Sequence, residues 1–162
     1  MPLPRRRVDP MTPCAKPATG GAPDISFLAT PDQARRAVMH VVASLADTEM
    51  APSQLGDVEL ALAEVVNNIV EHGYAGRPSG AIRITCEPHG DYLLVSVRDQ
   101  GRCIPGGLPT GCPPDVEVPV KDLPEGGFGW MLIRTLANSL SYSREGDQNR
   151  LDMQFSLRDR PN

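Results

Sequence analysis

Nowhere in its 162 residues does the chain hold an uninterrupted apolar run approaching the roughly 18 that a membrane-spanning helix needs. Arg5-Arg6-Arg7 is followed within a few residues by Asp9, Pro10 and Thr12, not by the apolar core of an export leader. The expectation is a cytoplasmic protein with no membrane contact. A basic excess is also missing. Sixteen Lys and Arg against twenty Asp and Glu give a net charge of −4, which argues against broad contact with phosphate backbones or anionic lipid and excludes direct nucleic-acid binding as a leading reading. Proteins and small molecules remain as partners. Cys14, Cys86, Cys103 and Cys112 form no CxxC pair, and His40, His72 and His89 stand at no zinc-like spacing from them. Reduced, unpaired thiols are expected. The length has room for one ordinary domain with one core.

Residues 1–22 carry prolines and the Arg triplet but almost nothing bulky, and are expected to form a disordered tail before a domain at 23–160. Asp24 to Ala29 is a short strand candidate. Thr30 and Pro31 then supply an N-cap and a first-turn proline for a helix running to about Glu49, with Ala34, Ala37, Val38, Val41, Val42 and Leu45 on one stripe. Ser53 is the expected cap of a second helix, whose core face is Leu55, Val58, Leu62, Val65 and Ile69, with Gly73 ending it.

Ala81 to Glu87 and Tyr92 to Arg98 read as a hairpin turned at Pro88-His89-Gly90-Asp91. From 101 to 126 prolines interrupt every regular pattern, which predicts a long loop of the functional kind. Phe128 to Ala137 is a short apolar helix after glycines, and a second hairpin follows, with strands at Leu140 to Arg144 and Leu151 to Leu157 and a turn over 146–149. This order indicates an α+β sandwich with helices on one face of a mixed, mainly antiparallel sheet.

The chemistry-bearing residues fall in three segments. In Glu59 to Tyr74 (ELALAEVVNNIVEHGY), Glu64 and Asn68 stand four apart on the second helix, so that a carboxylate and an amide project side by side. The amide oxygen is a hard neutral ligand suited to magnesium, which needs few protein ligands, and a carboxylate beside it is placed to accept a proton. The same pair alone is equally compatible with a solvated helix face. Val97-Arg98-Asp99-Gln100-Gly101 ends a strand with an Asp-x-Gly. An ionised carboxylate only accepts hydrogen bonds and so favours the amino group of adenine over the carbonyl of guanine, while a glycine lets backbone approach closely; an ordinary turn is the plain alternative. Glu125-Gly126-Gly127-Phe128-Gly129-Trp130 leads glycines into an apolar helix, where free backbone N–H groups can meet an anion, or where the glycines merely make a hinge.

Together, and in this order, the segments resemble the N, G1 and G2 boxes of the GHKL ATPases, in particular the anti-sigma serine kinases of bacterial partner switching. The resemblance implies a two-layer Bergerat-type sandwich that binds ATP and Mg. It implies Glu64 as catalytic base, Asn68 as the magnesium ligand, Asp99 and Gly101 at the adenine, Gly127 and Gly129 at the phosphates, and residues 101–126 as an ATP lid. The family often has a further glycine where Cys103 stands. The implied function is that of an anti-sigma factor and protein serine kinase acting on a STAS-domain anti-anti-sigma factor, with a sigma factor as second partner and a homodimer as the assembly. A non-catalytic ATP-binding module that sequesters a regulator is the alternative. A histidine kinase phosphorylated at His40 is disfavoured, because Val41-Val42 follows it where an acidic residue is needed, and a histidine on an apolar helix is expected to be packed.

Overall fold

The structure is a computed structural model that describes residues 22–104, 106–108 and 127–158, with backbone alone at 127 and 128. Nearly all of the expected tail, most of the expected lid, Cys14 and Cys112 lie outside the described residues.

The chain runs β1 (Asp24–Leu28), α1 (Pro31–Leu45), α2 (Pro52–Asn68), a single π-helical turn (Ile69–Gly73), β2 (Ala81–His89), β3 (Tyr92–Asp99), α3 (Gly127–Leu136), β4 (Ser139–Glu145) and β5 (Gln148–Ser156). The sheet order is β1-β2-β3-β5-β4, and every neighbouring pair among the described residues is antiparallel, so the expected mixed character is absent there. The three helices pack on one face of this five-stranded sheet.

Local rules explain most of the element ends. Thr30 is extended and its hydroxyl accepts from the Gln33 N–H at 3.4 Å, with Pro31 at the first helical position. At the other end α1 stops at Leu45, short of the expected Glu49, because the Thr48 N–H and hydroxyl both capture the Leu45 carbonyl at 3.0 and 2.5 Å. The second helix corrects the expectation that Ser53 is its cap. Its cap position is Ala51, two residues earlier, with Pro52 as the first helical residue, whose fixed φ suits that position, and the Ala51 N–H donates to Gln54 Oε1 at 2.8 Å. In the first hairpin β2 extends through Pro88 to His89, leaving Gly90 (φ +58°) and Asp91 as the turn.

The core lies between the helices and the inner face of the sheet. Val38, Val41 and Leu45 from α1 and Val58, Leu62 and Val65 from α2 meet alternate residues of the strands: Ile82 and Ile84, Val95 and Val97, Leu151 and Met153. Each fully buried side chain of this kind is worth about 1.5–3 kcal/mol, so truncating Leu62, whose side chain has no exposure, removes about 2–5 kcal/mol. The inner-face parity carries on to two polar residues at one end of the sheet, Asp99 on β3 and Asn149 on β5, which stand directly opposite each other. Cys86 is buried in the core and its thiol is pushed up to about 12 by burial, so it is inert; Cys103 is exposed, and both are free thiols. No described helix is long and apolar enough to cross a membrane.

Candidate functional site

Two of the three predicted segments meet at the junction of α2 with α3. The helices pack together, and the approach is close enough that a methyl group built on Gly129 would stand 2.8 Å from Glu64 Oε2 and 3.7 Å from Asn68 Nδ2. Glu64, Asn68 and Gly129 therefore form one cluster. Asn68 Nδ2 is the one buried side-chain N or O atom among the described residues that finds no hydrogen-bond partner. Leaving such a group unpaired costs about 1–3 kcal/mol, an expense that a ligand at this spot would relieve. Turning the amide over would put Oδ1 in the same place, which is the atom a hard cation requires. Asn67 is exposed, as expected of a residue pointing away from this cluster, and His72 is exposed on the π turn. His40 is also exposed, which corrects the expectation that it packs: it faces away from the stripe formed by Ala37, Val38 and Val41. Gly127 opens α3, where N–H groups of the first turn lack intrahelical acceptors.

The π turn leads from Asn68 to the remaining segment, Val97 to Gly101. Gly73 at its end touches the backbone at Gly101: a methyl group on Gly101 would lie 2.8 Å from both C and O of Gly73 and 3.0 Å from Asp99 Oδ1. The Arg102 N–H donates to the Gly73 carbonyl at 2.8 Å. Gly101 is thus required by the crossing of two main chains, a reason absent from the sequence reading. π turns of this kind often mark functional sites because they break the side-chain phase of a helix.

Asp99 is only 6% exposed. Its Oδ1 accepts from the Gly101 N–H at 2.8 Å and from Asn149 Nδ2 at 3.0 Å, while Oδ2 accepts no hydrogen bond from the described residues. Burial pushes its pKa above the ordinary carboxylate value, against the lowering effect of the bonds from Asn149 and Gly101 and of the Arg144 charge. Tyr74 closes the same end. Its hydroxyl donates to the Ala81 carbonyl at 3.3 Å and accepts from the Gln100 N–H at 3.0 Å; burial raises its pKa, the Gln100 bond opposes this and the Asp99 charge adds to it.

Sequence reasoning missed Asn149, Tyr142, Arg144 and Tyr74 altogether. Asn149 was placed in a turn, although extending the Leu151, Met153, Phe155 alternation back by two residues puts it on the inner face, so a signal existed.

A helix carboxylate and amide thus stand under a glycine-led helix, joined by one π turn to a buried acceptor at a strand end, and residues 27–155 match the histidine kinase-like ATPase domain. The chain belongs to that family. Among curated relatives of this histidine kinase-like ATPase domain, the anti-sigma F factor of Clostridium novyi is 26% identical over 141 residues, 86% of this chain and 97% of the relative. The serine-protein kinase RsbW of Bacillus cereus is 34% identical over 95 residues, 57% of this chain and 59% of the relative. The crystal structure of the RsbU and RsbW domains of a Mycobacterium tuberculosis protein superposes with a TM-score of 0.58 at 23% identity, covering 86% of this chain and 33% of that longer one. It shows the shared fold.

Proposed function

We propose that this ATPase-family chain is an anti-sigma factor and ATP-dependent protein serine kinase that phosphorylates a STAS-domain anti-anti-sigma factor. The observation that carries the reading is the contact of Gly129 with Glu64 and Asn68, whose buried Nδ2 finds no partner among the described residues, one π turn away from the Asp99 carboxylate.

In this reading Asp99 Oδ2 accepts from the adenine amino group, and Gly101 brings the backbone beside the base. N–H groups at Gly127 and Gly129 face the phosphates. Asn68 would hold a Mg ion through its amide oxygen, and the ion would supply neutralisation of phosphate charge. Glu64 accepts the proton of a serine hydroxyl as its oxygen bonds to the γ-phosphorus and the bond to the β-phosphate oxygen breaks, releasing ADP. Residues 101–126 serve as the lid, and 23–160 as the domain. A sigma factor is the second protein partner, the working assembly is a homodimer, and the setting is the cytoplasm. Curated relatives named as anti-sigma F factors and serine-protein kinases support this choice within the family.

Separate variants divide the roles. Glu64→Gln should bind ATP as the wild type does and transfer no phosphate, whereas Asp99→Asn should weaken ATP binding itself, since an amide can present a donor where an acceptor is needed. Binding is readable from the single tryptophan, Trp130, next to Gly129. Equal loss of binding in both variants would contradict the assignment, and binding without transfer to any STAS domain would leave the non-catalytic module.

A further inference from the structure

The β4–β5 hairpin reaches across to Asp99 and to the chain leaving β3, and one side chain makes most of the contacts. Asn149, 4% exposed, donates through Nδ2 to Asp99 Oδ1 at 3.0 Å, to the Gly101 carbonyl at 3.1 Å and to the Arg102 carbonyl at 3.1 Å. Its Oδ1 accepts from the Tyr142 hydroxyl and from Arg144 Nη1, each at 2.7 Å. Both hydrogens and both lone pairs of the amide are therefore committed. The same two neighbours reach the same strand exit: Arg144 Nη1 donates to the Gly101 carbonyl at 3.0 Å, and the Tyr142 hydroxyl accepts from the Ile104 N–H at 3.1 Å.

A buried amide could satisfy itself with two or three bonds, and structural duty alone does not require it to meet the Asp99 carboxylate. Two consequences follow from its doing so. Oδ1 of Asp99 is saturated by Gly101 and Asn149, so among the described residues the carboxylate keeps one oxygen, Oδ2, without a hydrogen bond, in one orientation. Residues 101–104 are pinned to the hairpin at three backbone atoms, the Gly101 and Arg102 carbonyls and the Ile104 N–H.

We infer that Asn149 is a positioning and specificity-determining residue: by locking Oδ1 of Asp99 and the 101–104 backbone, it presents Oδ2 as a fixed acceptor that selects adenine over guanine nucleotides. This rests on the proposed placement of adenine at Asp99. The groups around the carboxylate are the Arg144 guanidinium from β4, the Tyr74 hydroxyl beyond the π turn, the Gly101 N–H and Asn149 itself. Arg144 and Tyr74 carry the other charges or protons, and Asn149 is the neutral donor whose hydrogen bond orients the Asp99 carboxylate and opposes the upward push of burial.

The test uses the full chain and compares ATP with GTP binding by calorimetry for the wild type, Asn149→Asp and Asn149→Ser. Asn149→Asp keeps the shape but turns donors into acceptors facing Asp99 Oδ1 and two carbonyls. It should lower ATP affinity by about tenfold or more, as loss of a hydrogen bond to a charged group does, and shrink the ATP:GTP ratio by a similar factor. Should this variant fail to fold, Asn149→Ser, which keeps one short donor, decides by the same ratio. Hydrogen exchange without nucleotide gives a second readout: the amides of Gly101 and Ile104 should exchange faster in a folded variant, while amides of the β2–β3 ladder stay protected. An ATP:GTP ratio equal to that of the wild type in a folded variant overturns the inference. A wild type that binds neither nucleotide sinks instead the placement of adenine at Asp99.

Discussion

Gly101→Ala tests the crossing of main chains that ties the end of α2 to the end of β3. The added methyl would lie 2.8 Å from both C and O of Gly73 and 3.0 Å from Asp99 Oδ1, against the 3.5–4.0 Å of an ordinary carbon contact. The backbone atoms of Gly73 cannot rotate away as a side-chain tip would, so the two chains must part by a good fraction of an ångström. Overpacking of this kind costs about 1–3 kcal/mol, and the stiffer unfolded chain returns about 0.4–1 kcal/mol. A net loss of about 1–2 kcal/mol results, which lowers the melting temperature by about 2–8 °C for a chain of this size. The matching control is Gly56→Ala in α2, where a methyl meets nothing within 4 Å and helix propensity should raise stability by about 0.8–1 kcal/mol. Parting the chains also breaks the Gly101 N–H bond to Asp99, so nucleotide affinity should fall with stability in Gly101→Ala and be unchanged in Gly56→Ala. Thermal denaturation and ATP titration of both variants read this directly. A Gly101→Ala protein as stable as the wild type, with equal ATP affinity, would refute the packing argument.

Further outcomes follow from other contacts. Gly129→Ala meets the flexible tip of Glu64, so it should fold normally yet displace the carboxylate, cutting phosphate transfer by up to about 100-fold with little change in melting temperature; unchanged transfer would contradict the contact. With adenine at Asp99 as proposed, the raised pKa of Asp99 should make ATP affinity fall, as pH is lowered, while still above the ordinary value of 3.8, and Asp99→Asn should lack this limb. Between 3.8 and the raised value the native state binds more protons than the unfolded chain, so this group lowers stability as pH rises through that window, and Asp99→Asn removes the slope in pH-dependent unfolding.

The helices and strands were legible because their signals are local. Thr30 and Pro31 start α1, and the alternation of Ile82, Ile84 and Cys86 fixes the inner face of β2. Where reasoning slipped, the deciding partner lay elsewhere or a stronger local rule intervened. Pro52 outranked Ser53 at the start of α2, and Thr48 cut α1 short by taking a carbonyl. For the candidate site, the carboxylate, amide and glycines were singled out by the resemblance of three segments taken together, since the spacing on each element alone left an ordinary helix face, turn or hinge open. Their supports were not: Gly101 meets Gly73, and Asn149 meets Asp99, only once β3, β5 and the π turn are assembled.

Phosphate transfer is the most direct measurement of the central claim. Purified protein, magnesium and labelled ATP are mixed with candidate STAS-domain proteins, and phosphoserine is followed with time for the wild type and for Glu64→Gln. The account predicts phosphoserine with the wild type and none with a Glu64→Gln protein that still binds ATP. Equal transfer by both proteins would contradict it, as would a wild type that binds ATP and phosphorylates no serine.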